Sequence, residues 1–247
     1  AGLSPGQACE RIWAVDREGL LVQGMAGLKP GAAALARDPQ ELGDFGRNRE
    51  GQIDLAAVVA QVHPTVLIGT STVAGAFSRE LVEEMARHCV HPVILPLSNP
   101  TSLAEAFPAD LLVWTGGRAL VATGSPFAPV ELAGGRRVIG QCNNCFLFPG
   151  LGFATVALGL RAISDGMIDA GLQALAEWIP ASRNPMAPLM PALGDGAAVA
   201  AAVATAVASA GVREGLAREG ISHEQVPLLL QQARWLPTYL PLASNAV

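Results

Sequence analysis

Two cysteines in the segment GQCNNCFLFPG, residues 140–150, have a spacing that could support thiol chemistry. Two residues separate Cys142 from Cys145, as in redox-active dithiols and in one half of many zinc sites. The residues between them, Asn143 and Asn144, carry amides that both donate and accept hydrogen bonds. Such a pair could orient a carboxylate or a carboxamide without adding charge, or it could satisfy the backbone of a turn. The segment therefore predicts either a thiol site or an amide site.

The thiol interpretation depends on partners for the two cysteines. A structural zinc ion needs four ligands, which commonly come from two such pairs. The sequence has one C-x-x-C pair, and His88, Cys89 and His91 form the other cluster of ligand-type side chains. A redox site would also need a thiolate, usually at the start of a helix. We therefore favour free thiols and expect no metal ion on this chain.

Small and hydrogen-bonding residues follow each predicted strand. Apolar runs predict buried strands at 11–16, 65–71, 91–100 and 118–126, with helices between them, and this alternation predicts a parallel sheet with helices on both faces. Ligands of such sheets bind outside the carboxyl ends of the strands. The residues at those ends are Asp16, Gly69-Thr70-Ser71, Leu97-Ser98-Asn99 and Gly124-Ser125. We therefore predict a ligand site along this edge.

Asp16 is the candidate for binding a ribose. A carboxylate at the end of the second strand of a dinucleotide-binding unit accepts hydrogen bonds from ribose hydroxyls, although a simple strand-end turn is an equal alternative. Arg17 follows directly and could neutralise a 2′-phosphate, whereas Glu18 would oppose one. The glycine-rich fingerprint that belongs about 20 residues earlier is not in this sequence.

The helices have clear start signals. Residues 78–88 predict an amphipathic helix, and Ser102 with Glu105 has the spacing of a capping box at the start of the next one. After residue 150 the pattern is helical. Residues 197–210 predict an Ala/Val helix that ends at Gly211, packs inside the protein and is too short to span a membrane.

Composition limits the classes of partner. The chain has 247 residues, a hydrophobic share of 51% and a formal net charge of −5. This charge gives no reason to expect nucleic acid or an acidic membrane as a partner. No signal peptide is visible, and four cysteines are more typical of free thiols than of disulfides. We therefore expect a cytoplasmic protein with a large buried core.

The chain resembles the cofactor-binding half of malic enzymes. The segments that carry the resemblance follow in the family's order: IWAVDREGLL, PTVLIGTS, PVILPLSNPTSLAEAFPADLL, GRALVATGSPFAPV and IGQCNNCFLFPGLG. They cover roughly residues 1–180, and the rest matches less sharply. Malic enzymes convert malate to pyruvate and carbon dioxide with NAD or NADP and a divalent metal.

The resemblance implies roles for particular residues. Asp16, with Arg17 beside it, is similar to the ribose-binding acid of the family. The implied cofactor-binding residues at the strand ends are Gly69, Thr70, Ser71, Leu97, Ser98 and Asn99. Asn99, Asn143 and Asn144 resemble residues that reach malate, and Asn143 also reaches the nicotinamide. Cys145 departs from the pattern, since the family usually has an aromatic residue there.

The resemblance also implies what this sequence lacks. In the family the catalytic tyrosine, the general-base lysine and the metal-binding carboxylates lie upstream of the glycine-rich loop, so we assign no catalytic residue here. We expect a Rossmann-like domain over residues 1–180 without its first strand and glycine-rich loop, then a linker and helical extension over 181–247. The chain is then a fragment or a partial protein, inactive alone, with Mg²⁺ or Mn²⁺ needed only by the full-length enzyme.

Two alternatives stay open. The chain could be a non-catalytic NAD-binding or self-associating module, because a sheet without its central strand exposes edges that a homo-oligomer could cover. The same scaffold could also carry malolactic chemistry, with NAD retained and no net redox change.

Overall fold

The computed structural model describes residues 3–235, which divide into two compact units. The first unit contains residues 3–142 and 184–189. Its helices are α1 (Pro5–Cys9), α2 (Pro30–Ala33), α3 (Leu55–Val62), α4 (Arg79–His88) and α5 (Pro108–Trp114). Its strands are β1 (Val15–Asp16), β2 (Gly19–Leu20), β3 (Val66–Gly69), β4 (Val93–Pro96), β5 (Leu120–Thr123), β6 (Val130–Leu132), β7 (Gly135–Arg137) and β8 (Gly140–Gln141).

A four-stranded parallel sheet organises the first unit. Its strand order is β3-β4-β5-β8, and β6 and β7 form a separate antiparallel hairpin. Leu67, Ile94 and Val121 are neighbours in register, so they share one face of the sheet, where they belong to the same buried cluster as apolar residues of α3, α4 and α5. On β3 the alternate side chains, Val66 and Ile68, are 48% and 59% exposed. The predicted α/β class and three of the predicted strands are confirmed.

The prediction of a buried parallel strand at residues 11–16 is wrong. Only Val15 and Asp16 are in strand conformation, and they pair antiparallel with Leu20 and Gly19. Arg17 and Glu18 form the turn between the paired residues, so the segment finds its hydrogen-bonding partner in the residues directly after it. Ile12 is 46% exposed, which also excludes a buried strand.

The amphipathic helix is confirmed as α4. The hydroxyl of Ser78 accepts a hydrogen bond from the Leu81 N–H, which caps the first turn. The capping box predicted for Ser102 and Glu105 is wrong, because α5 begins only at Pro108, after Phe107, which makes no side-chain cap. Thr101–Leu103 form a short 3-10 turn instead. Glu105 is thereby free to turn its carboxylate into the protein.

Residues 184–189 belong to the first unit, although they are far from it in sequence. The side chain of Arg137, which is only 5% exposed, holds this segment through its contacts. Its guanidinium donates to the carbonyls of Gly117 at 3.1 Å and Pro185 at 3.2 Å, and it contacts the Met186 sulfur at 2.9 Å. Burial lowers the pKa of this guanidinium.

The second unit is helical. In its described residues, 143–183 and 190–235, the helices are α6 (Phe148–Leu158), α7 (Asp165–Ala176), α8 (Gly196–Arg213) and α9 (Val226–Ala233). Ser164 caps α7, since its hydroxyl accepts from the Met167 N–H. Helix α8 packs against α6, α7 and α9, and the core follows its buried positions Val199, Val203 and Val207.

Two predictions about α8 need correction. Gly211 does not end the helix, which continues to Arg213. A Cβ on Gly211 would lie 2.9 Å from Leu160 Cδ2, so the glycine permits Leu160 to pack closely against α8 and does not stop the helix. The helical stretch Leu193–Arg213 is also long and apolar enough to cross a membrane by length and composition. Its burial against α6 and α7 is nevertheless typical of a core helix, as predicted.

The division into units falls at residue 143, whereas the predicted boundary between the cofactor-binding domain and the extension is at residue 180. The predicted boundary marks the end of the cofactor-binding region, whereas the observed division separates units by packing. The boundary at residue 180 therefore stays a prediction. Residues 236–247 of the predicted extension lie outside the described residues.

Candidate functional site

The carboxyl ends of β3 and β4 leave the sheet side by side. Gly69 pairs with Pro96 in parallel register, and the Leu97 N–H donates to the Gly69 carbonyl at 2.9 Å. The following residues, Thr70-Ser71 and Ser98-Asn99, therefore start at the same edge. The predicted strand-end residues of β3 and β4 are brought together there.

A buried carboxylate holds the two strand ends together. Glu105 has no exposed surface. Its Oε1 accepts from the Ser71 N–H at 2.8 Å, from the Ser71 hydroxyl at 2.9 Å and from the Ser98 hydroxyl. Its Oε2 accepts from the Ser98 N–H at 3.4 Å. Glu105 thus supplies the acceptors that donors from both strand ends require once they are removed from water.

The two serine hydroxyls extend the hydrogen-bond network to the loop after β3. The Ser98 hydroxyl accepts from the Thr72 N–H at 2.8 Å, and the Ser71 hydroxyl accepts from the Val73 N–H at 3.1 Å. Each hydroxyl therefore donates towards Glu105 and accepts from the backbone. Thr72 has a φ of +58°, an unusual value for a residue with a branched side chain, and these hydrogen bonds hold it there.

The charge state of Glu105 follows from these contacts. Burial, the largest single influence, raises its pKa, but the hydrogen bonds from Ser98, from the Glu105 backbone and from Ser71 together outweigh burial and leave the pKa below its ordinary value. Glu105 is therefore ionised at neutral pH. Because its oxygens are occupied by internal donors, it positions the strand ends and is not placed to exchange protons with a ligand.

Two glycines make this close packing possible. A Cβ on Gly69 would lie 2.6 Å from Cδ of Glu105, and a Cβ on Gly124 would lie 2.1 Å from the Leu97 carbonyl oxygen. Neither position has room for a side chain. The glycines at these strand ends are therefore explained by close approach of neighbouring groups.

The end of β5 connects to Asn99. The Ser125 hydroxyl donates to Asn99 Oδ1, and Asn99 Nδ2 donates to the Leu97 carbonyl at 3.3 Å. Thr123 fixes the same turn, because its hydroxyl donates to the Ser125 carbonyl at 2.8 Å. Asn99 itself is exposed, so a side chain held by the strand ends is presented to solvent.

The segment GQCNNC begins as the fourth strand of the sheet. Gly140 and Gln141 form β8 beside β5, and the Cys142 N–H donates to the Thr123 carbonyl at 2.9 Å. Asn143 and Asn144 follow in the second unit, and both are exposed. Oδ1 of Asn143 accepts from the Cys145 N–H at 3.0 Å, so this amide caps the short 3-10 helix Asn144–Phe146.

The cysteines lack the features of a thiol site. Cys142 is partly buried, and burial raises the pKa of its thiol, which disfavours the reactive thiolate. Among the residues that the structure describes, the one group of three metal-ligand side chains is His63, Glu84 and His88, and it contains no cysteine. These observations favour the free-thiol interpretation of Cys142 and Cys145.

Asp16 and Arg17 lie on the exposed β1–β2 hairpin. The Arg17 N–H donates to Asp16 Oδ1 at 2.7 Å. Within residues 3–235 no hydrogen bond connects either side chain to the ends of β3 or β4. The structure thus places these two predicted residues apart from the strand-end network.

Sequence reasoning assigned no site role to Glu105 or Gln141, whereas Ser125 was among the predicted strand-end residues. Gln141 Nε2 donates to the Gly124 carbonyl at 3.0 Å and so joins β8 to the strand-end edge. A signal for Glu105 existed, because an acidic residue between Ala104 and Ala106 in an apolar stretch is unusual unless it is paired inside the protein. Chemically, the edge offers hydroxyl, amide and backbone groups for binding.

Comparison with known proteins identifies the family. The family described as "Malic enzyme, NAD binding domain" matches residues 1–212. The chain belongs to the malic enzyme family. The matched region is the NAD-binding domain of that family, which confirms the family and the NAD cofactor predicted from the sequence.

Curated relatives agree with the assignment. The chain is 46% identical over 242 residues to NAD-dependent malic enzyme 3 of Bacillus subtilis (strain 168), covering 98% of this chain and 42% of that protein. It is 41% identical to the NAD-dependent malic enzyme of Acinetobacter baylyi, covering 96% of this chain and 42% of the relative. The chain therefore spans less than half the length of these malic enzymes.

A solved structure shares the fold. The crystal structure of malic enzyme from Pyrococcus horikoshii OT3 matches with a TM-score of 0.61 at 23% identity, covering 87% of this chain and 43% of the other. At this identity the likeness supports the Rossmann-like α/β fold alone.

Proposed function

We propose that this chain is the NAD-binding portion of an enzyme that oxidatively decarboxylates malate to pyruvate and carbon dioxide. The observation that carries the proposal is the Glu105 network, which fixes the carboxyl ends of two parallel strands where ligands of such sheets bind. When bound, NAD would accept the hydride from C2 of malate.

The strand-end edge suits the nicotinamide half of NAD. Its ligand-facing groups are neutral, because the charge of Glu105 is directed at internal donors. A neutral edge fits an amide and a ribose better than it fits a phosphate. Under this proposal Gly69, Thr70 and Ser71 lie beneath the cofactor, while Leu97, Ser98 and Asn99 border the nicotinamide.

The remaining predicted residues have proposed roles that rest on family resemblance. Asp16 would accept hydrogen bonds from the adenosine ribose, with Arg17 beside it. Asn143 would meet the nicotinamide and malate, and Asn99 and Asn144 would reach malate. The exposure of all these side chains is compatible with ligand contact. Mg²⁺ or Mn²⁺ would be held by carboxylates that are not part of this sequence.

An NAD titration tests the binding role. Isothermal titration of the pure chain should give saturable binding, and Asn99→Ala should weaken it about tenfold, as expected for one lost hydrogen bond of about 1.4 kcal/mol. Gln173→Ala, an exposed amide on α7, is the matched control and should bind as the parent does. A flat titration with a folded protein would contradict NAD binding by this chain.

A fusion tests the enzymatic role. The chain alone, supplied with malate, NAD and Mn²⁺, should form no NADH, because we assign it no catalytic residue. Joined to the amino-terminal part of the B. subtilis relative, it should restore malate-dependent NADH formation and pyruvate release. Product analysis also distinguishes the malolactic alternative, which would release lactate with no net NADH.

A self-associating module is the second candidate, and the exposed side chains of Val66 and Ile68 favour it. Within the described residues no strand pairs with the outer edge of β3, which is open to another strand. A second copy that covers the exposed Val66 and Ile68 side chains would give a homo-oligomer. Light scattering after size exclusion should then show a dimer that Ile68→Lys dissociates. A monomer at every concentration would exclude self-association.

We also propose a cytoplasmic location for this chain.

A further inference from the structure

Three side chains with metal-binding chemistry meet where α3 and α4 end. His63, Glu84 and His88 each offer one ligand atom, and these three atoms lie within 4.8 Å of one another. Nε2 of His88 lies 3.0 Å from Glu84 Oε1. The rings of His63 and His88 stack with their centroids 3.5 Å apart and their planes 17° apart.

The sequence brings these residues together through two helices. Glu84 and His88 are four residues apart on α4, so they share one face of that helix. His63 follows α3, and Pro64 prevents the helix from continuing. The two helices contact each other, and Val59 of α3 and Val82 of α4 are buried in the same apolar cluster. The group is therefore supported by a rigid part of the first unit.

His63 has an unusual backbone conformation. Its φ is +51° and its ψ is +57°, a left-handed cap in which glycine is the least costly residue. The cap needs only the backbone, because the His63 N–H donates to the Val59 carbonyl at 3.1 Å. Helix capping alone therefore does not account for the imidazole beside His88.

The donor set selects a class of ion. Two imidazoles and one carboxylate suit Zn²⁺, Co²⁺, Ni²⁺ and Cu²⁺, whereas Mg²⁺ prefers oxygen ligands. Ligands of a tetrahedral zinc ion, each about 2.1 Å from the metal, lie about 3.4 Å from one another. Coordination would require the two exposed histidine side chains to rotate out of their stacked arrangement and approach that separation, and their exposure leaves room for water as the fourth ligand.

Charges around Glu84 also matter. The hydrogen bond from His88 is the largest influence that lowers the pKa of Glu84, and Arg87 lowers it further, so the carboxylate is ionised at neutral pH. Arg87 forms an ion pair with Oε2, while His88 engages Oε1. A metal ion would replace the His88 contact at Oε1 and leave the Arg87 pair in place.

We propose that His63, Glu84 and His88 bind one divalent transition-metal ion and so link the ends of α3 and α4. His63 precedes β3 and His88 precedes β4, which places the group at the amino ends of these strands. The strand-end network around Glu105 lies at their carboxyl ends. Metal binding here is therefore independent of NAD binding, and each can fail without the other.

Titration of the tag-free chain with ZnCl₂ at about pH 7.5 tests the site. We expect one equivalent to bind. At a hundredfold excess over Kd the midpoint of thermal unfolding should rise by about 5 °C. MgCl₂ at the same concentration should cause no shift. No saturable binding of Zn²⁺ would overturn the proposal.

Variants locate the ion. His63→Ala, His88→Ala and Glu84→Gln should each weaken zinc binding at least about tenfold, as expected when one of three ligands is removed. The other two histidines supply matched controls, since His91→Ala and His223→Ala should bind as the parent does. Loss of binding in Cys142→Ser or Cys145→Ser instead would overturn the assignment, as would unchanged binding in His63→Ala.

His63→Gly separates folding from binding. Glycine accepts the left-handed cap, so without metal this variant should unfold at the same temperature as the parent or higher. Its response to zinc should nevertheless be lost. If His63→Gly keeps the full zinc-dependent shift, His63 is not a ligand and the proposal fails.

Discussion

The carboxylate of Glu105 accepts a hydrogen bond from the hydroxyl of Ser71, which lies 34 positions earlier in the chain, at 2.9 Å. The same oxygen also accepts from the Ser98 hydroxyl. One acidic side chain after β4 thus fixes the residue that follows β3. The edge proposed to border the nicotinamide is therefore preorganised by a residue that would not touch the cofactor.

Replacing the carboxylate should destabilise the chain. Glu105→Gln places an amide NH₂ group against the donors of Ser71 and Ser98, which need an acceptor at that position. We therefore expect a loss of about 2 kcal/mol in the free energy of unfolding. Urea unfolding followed by circular dichroism measures it, and hydrogen exchange at the Ser71 and Thr72 amides should become faster. Glu131→Gln, whose side chain is 78% exposed, is the control and should change stability by less than about 0.5 kcal/mol. Equal losses in the two variants would contradict the structural role of Glu105.

The contribution of Glu105 to stability should depend on pH. Its pKa is lower in the folded chain than in the unfolded chain, so its stabilising effect is present above the unfolded value of about 4.3. The effect is lost as the pH falls through the lower folded pKa, where the native carboxylate also becomes protonated. The difference in unfolding free energy between the parent and Glu105→Gln should therefore shrink below about pH 4. A difference that stays constant down to pH 3 would be inconsistent with an ionised, hydrogen-bonded Glu105.

The strand-end packing should reject even one methyl group. In Gly124→Ala the new Cβ would lie 2.1 Å from the Leu97 carbonyl oxygen, and we expect about 3 kcal/mol of destabilisation from the backbone shift. Gly152→Ala is the control, because no atom lies within 4 Å of the added carbon and alanine favours the helix α6. That variant should gain about 0.5–1 kcal/mol. Similar stability in the two variants, measured by urea unfolding, would contradict the close approach at Gly124.

The two cysteines of the C-x-x-C pair should differ in reactivity. Burial raises the pKa of Cys142, whereas Cys145 is exposed. At about pH 8, iodoacetamide should therefore modify Cys145 at least about tenfold faster than Cys142. Mass spectrometry of the single variants Cys142→Ser and Cys145→Ser assigns each rate. Faster reaction of Cys142 would reopen the thiol interpretation of this segment.

Local sequence patterns were sufficient for elements whose signals are local. The Ser78 cap and the apolar face of Leu81, Val82 and Met85 define α4 without reference to the rest of the chain. The apolar runs that become β3, β4 and β5 are equally self-contained. Their parallel register then places Ser71 and Ser98 at one edge, so most of the strand-end site was predictable.

Two of the errors share a cause, since each depends on contacts that are distant in sequence. The spacing of Ser102 and Glu105 fits a capping box, but the partners of Glu105 are Ser71 and Ser98. Gly211 resembles a helix stop until Leu160 is seen beside it. The segment 11–16 has the composition of a strand, but composition does not specify which strand will pair with it. β8 contains two residues and has no pattern to detect.

The anchoring of residues 184–189 by Arg137 limits how this gene region can be rearranged. The main chain leaves the first unit after residue 142, returns to it at 184 and leaves again after 189. A truncation placed before residue 184 would remove the Pro185 carbonyl and the Met186 sulfur from a guanidinium that has almost no access to water, and a recombination crossover there would take residues 184–189 from a different parent than Arg137. The helical unit is therefore not one continuous cassette, because residues 184–189 of the first unit interrupt it. Natural or engineered chimaeras of this region should tolerate a single junction only if they rebuild the Arg137 partners.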